Sequence, residues 1–256
     1  MTEVTPAQQL FDLTGEVALV TGASSGLGFR FAEVLAAHGA KVIAAARRVE
    51  RLQALAAESP NIFPLELDVT QTESLSEALD KAEAACGPLT LLINNAGWGG
   101  LDDSFQHTAD DWRRLQATNV DSVWHLSQAF AKRLIARKQP GGIINISSVA
   151  GYIVSETPAP YAIGKAAVVQ MTRALGYELA RHKIRVNGIA PGYIHSEMTD
   201  DYLASDAGKA MLKRVPQRRA GQPSDLDGTL LLLASPKASG FMTGATIIVD
   251  GGIAVK

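Results

Sequence analysis

Short apolar runs rich in β-branched residues alternate with longer stretches in which Ala and Leu recur at helical spacing, from one end of the chain to the other. The runs at 17–21, 41–45, 62–66, 91–94, 142–147, 185–190 and 246–249 predict seven strands. The periodic stretches at 26–38, 49–58, 72–86, 110–138, 161–181 and 224–234 predict helices between them. Strands with no polar face, each followed by a segment long enough to cross over, require a parallel sheet covered on both sides. Right-handed crossovers make this an α/β, doubly wound, Rossmann-type fold on a seven-stranded, mainly parallel sheet with helices on both faces. No linker, compositional break or repeat divides it, so residues 1–256 read as a single domain with an N-terminal extension at 1–14.

One segment breaks the rhythm. Residues 193–222 carry two Tyr, two Met and mixed charges without clear periodicity, too long for an idle connection. They follow the C-terminal end of a strand, where α/β sheets keep their ligands, and are expected to form a substrate lid.

Composition narrows the function. A formal charge of −2 argues against a nucleic-acid binder. A single cysteine, Cys86, leaves no disulfide framework or Cys-rich zinc site and suits a reducing, cytoplasmic setting. No apolar run approaches the roughly 20 residues of a membrane span. The five histidines fall in separate elements, so no metal is expected.

The first strand runs into Thr21-Gly22-Ala23-Ser24-Ser25-Gly26-Leu27-Gly28, and an amphipathic helix follows at once. Glycines there allow a tight turn and close approach of a pyrophosphate to the helix N-terminus. At the end of the second strand, a carboxylate would bond a free ribose 2′-OH. Here Ala46 occupies that slot, followed by Arg47 and Arg48, which favours a 2′-phosphate and hence NADP(H) over NAD(H). After the fourth strand comes Asn94-Asn95-Ala96-Gly97, too small and polar for a core and expected to turn. The fifth strand ends in Ser147-Ser148, and Tyr161 and Lys165 follow at a spacing that puts phenol and ammonium on one helix face.

In this order, with Asn119 and Pro191-Gly192, these motifs resemble the short-chain dehydrogenase/reductase family over essentially the whole chain, from Gly15 to Gly252. The resemblance implies a catalytic tetrad of Asn119, Ser148, Tyr161 and Lys165. It implies cofactor contacts from Gly22, Ser24, Ser25, Gly26, Leu27 and Gly28, from Arg47 and Arg48, and from Asp68 and Val69 near the adenine. Asn95, Ala96, Gly97, Tyr161, Lys165, Pro191, Gly192, Ile194 and Ser196 complete that set. The substrate pocket is expected to include Trp98, Ser148, Tyr152, Tyr161, Tyr193, Met198 and Tyr202. Glu156 is either a polar substrate contact or a solvated loop residue.

A tyrosine hydroxyl titrates near 10, and a nearby ammonium with the positive nicotinamide is expected to pull it toward working pH. Ser148 would polarise the substrate oxygen, and the resemblance implies that Asn119 holds a water that links Lys165 to solvent. The implied activity is hydride transfer between NADP(H) and a carbonyl or secondary alcohol, in the main a ketone reductase. An alternative is a 3-oxoacyl-thioester reductase whose carrier docks on Arg181, His182, Lys183 and Arg185. A non-catalytic NADP(H)-sensing regulator has no use for the Tyr161/Lys165 pair. Too much of helix 161–181 is apolar for one sheet face to cover, which together with the family implies a homotetramer.

Overall fold

The computed structural model describes residues 4–100, 103–154 and 157–255. Seven strands, β1 (Val17–Thr21), β2 (Lys41–Ala46), β3 (Ile62–Glu66), β4 (Leu91–Asn94), β5 (Gly141–Ile146), β6 (Ile184–Pro191) and β7 (Thr246–Val249), form one sheet in the order β3-β2-β1-β4-β5-β6-β7. Every pair is parallel, so the sheet is wholly rather than mainly parallel. The order reverses between β1 and β4, opening a crevice at their C-terminal ends.

The helices are α1 (Ala7–Leu10), α2 (Gly26–Ala37), α3 (Val49–Ala57), α4 (Leu75–Cys86), α5 (Ala109–Gln116), α6 (Ser122–Arg137), α7 (Ala159–Leu179), α8 (Asp200–Ala204), α9 (Asp206–Leu212), α10 (Asp227–Ala234) and α11 (Pro236–Ser239). β1 shows why its run is unbroken. Ala18 and Val20 join a core with Phe31 and Leu35 of α2 and Leu230 of α10, while Val17 and Leu19 join one with Leu79 of α4 and Phe130 of α6. Each side is sealed by helices, so neither parity can be polar.

Three segments take shapes that the sequence pattern left open or read differently. The N-terminal extension is no free tail where it is described: Leu13 is fully buried, and Ser235 and Lys237 donate hydrogen bonds to the carbonyls of Leu10 and Gln9. The single helix expected over 110–138 is broken into α5 and α6 by a π-turn at Ala117–Asp121. Two hydroxyls sit where the ladder widens: Thr118 donates to the Arg114 carbonyl at 2.9 Å and Ser122 to that of Thr118 at 2.7 Å. Finally, segment 193–222 is no bare loop. It forms α8 and α9 around a small core of its own, Leu203, Met211, Val215 and Ala220, and its base is pinned by backbone bonds between Tyr193, His195 and Gly221.

Candidate active site

The glycine turn is dictated by contact distances. Gly22 and Gly26 have φ of +69° and +55°, a region that side chains disfavour. A Cβ on Gly28 would lie 2.4 Å from both the Gly22 carbonyl oxygen and the Asn95 amide nitrogen, so the first turn of α2 presses directly on β1. Asn95 donates to the Thr21 carbonyl at 2.9 Å, and Thr21 Oγ1 accepts from the backbone N–H groups of Asn95 and Ala96 at 3.0 Å each. These bonds bind the ends of β1 and β4 into one rim. Ser25 stands at the N-cap of α2, but its hydroxyl accepts from Arg48 at 2.6 Å instead of capping the helix. The unpaired amides at that end remain turned to the crevice, which fits the phosphates of a dinucleotide.

A cleft of about 350 Å³ runs from this turn to the end of β5. At one end lie Ala46, Arg47, Arg48, Asp68 and Val69. Burial pushes the Asp68 carboxyl up, but hydrogen bonds from the Thr70 backbone and hydroxyl and the charge of Arg47 leave it below the ordinary carboxylate value. Of the expected cofactor contacts, Gly28 alone does not line the cleft; its part is the close approach that shapes the turn. Ser196 faces the turn from the other side, its Cβ 3.4 Å from where one on Gly26 would be.

Ser148, Tyr161 and Lys165 meet at the far end of the cleft. The Tyr161 hydroxyl is hydrogen-bonded with Ser148, yet burial raises its pKa to about 12. Lys165 donates to the Ile146 carbonyl at 3.0 Å, with its Nζ 5.5 Å from the centroid of the Tyr161 ring. Burial lowers the Lys165 pKa to about 8. The expected depression of the phenol therefore does not come from the protein's own groups. Desolvation dominates there, and the ammonium faces the ring and a carbonyl.

Asn119 is buried on the π-turn and brackets Trp98: its Oδ1 accepts from the Trp98 N–H and its Nδ2 donates to the Trp98 carbonyl, both at 2.8 Å. These contacts make it a positioning residue for the turn after β4. A Cβ on Gly97 would stand 3.4 Å from Asn119 Oδ1 and 3.5 Å from Lys165 Nζ, so the turn and the lysine are in close register.

The substrate end is only partly as expected. Trp98 and Met198 line the cleft, and Met198 packs beside Gly99. Tyr193 and Tyr202 instead stack on one another, centroids 6.1 Å apart, against the small core of segment 193–222. Tyr152 follows a 3₁₀ turn after Ser148 and does not line the cleft either. Glu156 lies outside the described residues.

Several residues here were not anticipated. Arg114 stacks over the Trp98 indole at 4.5 Å and lines the cleft with Thr118. Asn94, expected in a turn, is buried in β4. It donates to Ser127 Oγ at 3.0 Å and to Asn145 Oδ1 at 2.9 Å, and Asn145 donates to Thr172 Oγ1 at 2.9 Å. This polar brace ties α6, β4, β5 and α7 together beneath the reacting groups. Its signal was an asparagine inside the apolar run Ile143-Ile144-Asn145-Ile146. Among the described residues, no group of three or more His, Cys, Asp or Glu is placed to hold a metal, and no helix is long and apolar enough to cross a membrane.

The sequence pattern of the family described as enoyl-(acyl carrier protein) reductase matches residues 22–254. The gluconate 5-dehydrogenase of Gluconobacter oxydans is 38% identical over 96% of this chain and 98% of its own. The 3-oxoacyl-[acyl-carrier-protein] reductase of Vibrio harveyi is 35% identical over 94% of this chain and 98% of its own. Among solved structures, a gluconate 5-dehydrogenase from Burkholderia cenocepacia in complex with NADP and tartrate superposes with a TM-score of 0.92 at 36% identity, covering 98% of this chain and all of that one. A doubly wound sheet with a glycine cradle and a Ser-Tyr-Lys cluster at one crevice, shared over its whole length with these enzymes, makes this chain a member of the short-chain dehydrogenase/reductase family and an oxidoreductase acting on carbonyl and secondary alcohol groups.

Proposed function

We propose that the protein is a ketone reductase that prefers NADPH to NADH and acts on a polyhydroxy keto acid. The observation that carries the substrate class is Arg114. Its guanidinium lies over Trp98 in the cleft that holds Tyr161 and Ser148, and among the described residues it makes no ion pair. A cation held on an aromatic platform, open to the cleft, suits a carboxylate at the far end of a small substrate. Relatives named for gluconate and its keto form support the same class.

When bound, the nicotinamide supplies or accepts the hydride. Tyr161, raised to about 12, keeps its proton at neutral pH and can donate it to a carbonyl oxygen as negative charge develops there. Ser148, already hydrogen-bonded with Tyr161, supplies a second hydroxyl to that oxygen. The Lys165 ammonium then offsets the charge left on the phenol. At the other end, Ala46 leaves room for a 2′-phosphate, and Arg47, exposed at the cleft wall, supplies a cation for it.

The test is a cofactor-absorbance assay of 5-keto-aldonate, a neutral keto-hexose and a 3-oxoacyl thioester, with both cofactors. The keto acid should be the best substrate, and NADPH should be favoured about ten- to hundred-fold, the equivalent of one charge-assisted phosphate contact. Arg114→Gln should raise KM for the acid about tenfold and leave the neutral ketone little changed. Faster turnover of the neutral ketone or thioester, with an unmoved KM in Arg114→Gln, overturns the substrate class. Relatives named as 3-oxoacyl-[acyl-carrier-protein] reductases support the thioester alternative, but Arg185 is not one of its docking residues. It donates to the Leu233 carbonyl at 2.8 Å and Ser239 Oγ at 2.7 Å, closing the C-terminus of α10.

We also propose a homotetramer. Val168, Val169 and Leu175 of α7 are buried, but Ile163 (52% exposed) and Tyr177 (87% exposed), with Ala166 and Ala174, face outward. Light scattering should give four times the chain mass at micromolar concentration, and a stable monomer would refute this assembly.

A further inference from the structure

Glu197, at the start of the 193–222 excursion, reaches across the cleft mouth to residues 149 and 146 positions earlier in the chain. Its Oε2 accepts from Arg48 Nη1 at 3.0 Å, and its Oε1 accepts from Arg51. Arg48 spends its other two nitrogens on the glycine turn, Nε on Ser24 Oγ at 3.1 Å and Nη2 on Ser25 Oγ at 2.6 Å. The guanidinium is thereby fixed, with one edge on the phosphate-binding loop and the other on a carboxylate. Glu197, Arg48, Ser24 and Ser25 all line the cleft where β2 ends, beside Arg47.

We propose that Glu197 is a cofactor-specificity residue that weakens the hold on NADP(H). This rests on the reading that the 2′-phosphate binds at Arg47 and Arg48. Three cations gather there, and one carboxylate already occupies two of them. A phosphate entering beside Arg48 meets a like charge bonded to the same guanidinium, and must either displace it or bind against its repulsion. NADH carries a neutral hydroxyl at that position and escapes the charge competition. The pairs are roughly half-exposed, so the carboxylate is a modest, salt-sensitive competitor, suited to setting a preference and not to excluding a cofactor.

The alternative part for such a bridge is a strap that holds the excursion over either cofactor, and the two predict opposite signs. In fluorescence titrations at low ionic strength, Glu197→Gln should lower the NADPH Kd about three- to tenfold and move the NADH Kd less than twofold. The selective gain should shrink in about 0.3 M salt, and Glu197→Asp, which keeps the charge, should return the NADPH/NADH ratio toward wild type. An unchanged or weaker NADPH affinity, or an equal change for both cofactors, overturns the proposal. The underlying 2′-phosphate reading is checked separately by the wild-type NADPH/NADH ratio and its collapse in Arg47→Ala. A wild type indifferent to the phosphate defeats that reading, whereas a clear preference untouched by Glu197→Gln defeats only the part assigned to Glu197.

Discussion

Tyr161→Phe should lower turnover by about 10²- to 10⁴-fold, the range typical of a positioned proton donor, while the Kd for NADPH stays within about threefold. The change deletes one hydroxyl and its bond with Ser148 and leaves the ring in place under Lys165 Nζ. Steady-state rates and a fluorescence titration of the same preparation check both halves. Retention of more than about a tenth of the wild-type rate would mean that another group delivers the proton. The pH profile adds a second check. With the phenol raised by burial, ketone reduction should be flat through the neutral range, and alcohol oxidation, which needs the deprotonated form, should climb with pH.

Lys165→Met should damage turnover and cofactor binding together and yet give a more stable protein at pH 7. Burial lowers the pKa of this ammonium from 10.5 to about 8, a cost on the order of 3 kcal/mol to the folded state wherever the group is charged. Losing its bond to the Ile146 carbonyl returns about 1 kcal/mol of that, leaving a net gain of about 2 kcal/mol. The sign follows from proton counting. Below pH 8 the lysine is protonated in both folded and unfolded chains, and the wild type bears the whole cost. Between about 8 and 10.5 the folded state gives up its proton first, so wild-type stability rises with pH relative to the variant. Denaturant midpoints should therefore differ most at pH 7 and converge near pH 10. A variant less stable than wild type at pH 7, or a gap that widens with pH, would show that the buried charge is compensated by contacts beyond the Ile146 carbonyl.

Much of the fold was legible because a sheet sealed on both faces writes itself as unbroken apolar runs, and all seven strands lie within a residue or so of those runs. The parts that were not legible depend on neighbours remote in sequence. Nothing in the composition around Ala117–Asp121 marks a π-turn, because residues 110–138 read as one helical stretch and a single added residue leaves no local punctuation. Tyr193 and Tyr202 stand beside motif residues in the sequence, whereas the fold of 193–222 turns them onto each other. In the site itself, glycine spacing and the Tyr161/Lys165 interval were readable because both encode backbone geometry. The pairing of Arg48 with Glu197 was not, since only the closed fold brings those charges together.

The π-turn also sets how this site tolerates change over time. Each residue of a helix advances the side chains by about 100°, and a π-turn holds one residue more than the α-helical turn it replaces. The aim of Asn119 at Trp98, relative to the buried face of α6, is thus stored as a count of residues between Gln116 and Ser122 and not in any one side chain. Point substitutions at Ala117 or Val120 leave that count intact. A single-codon deletion there preserves every reacting group and still swings the amide out of register, so this stretch is open to drift in spelling and closed to drift in length.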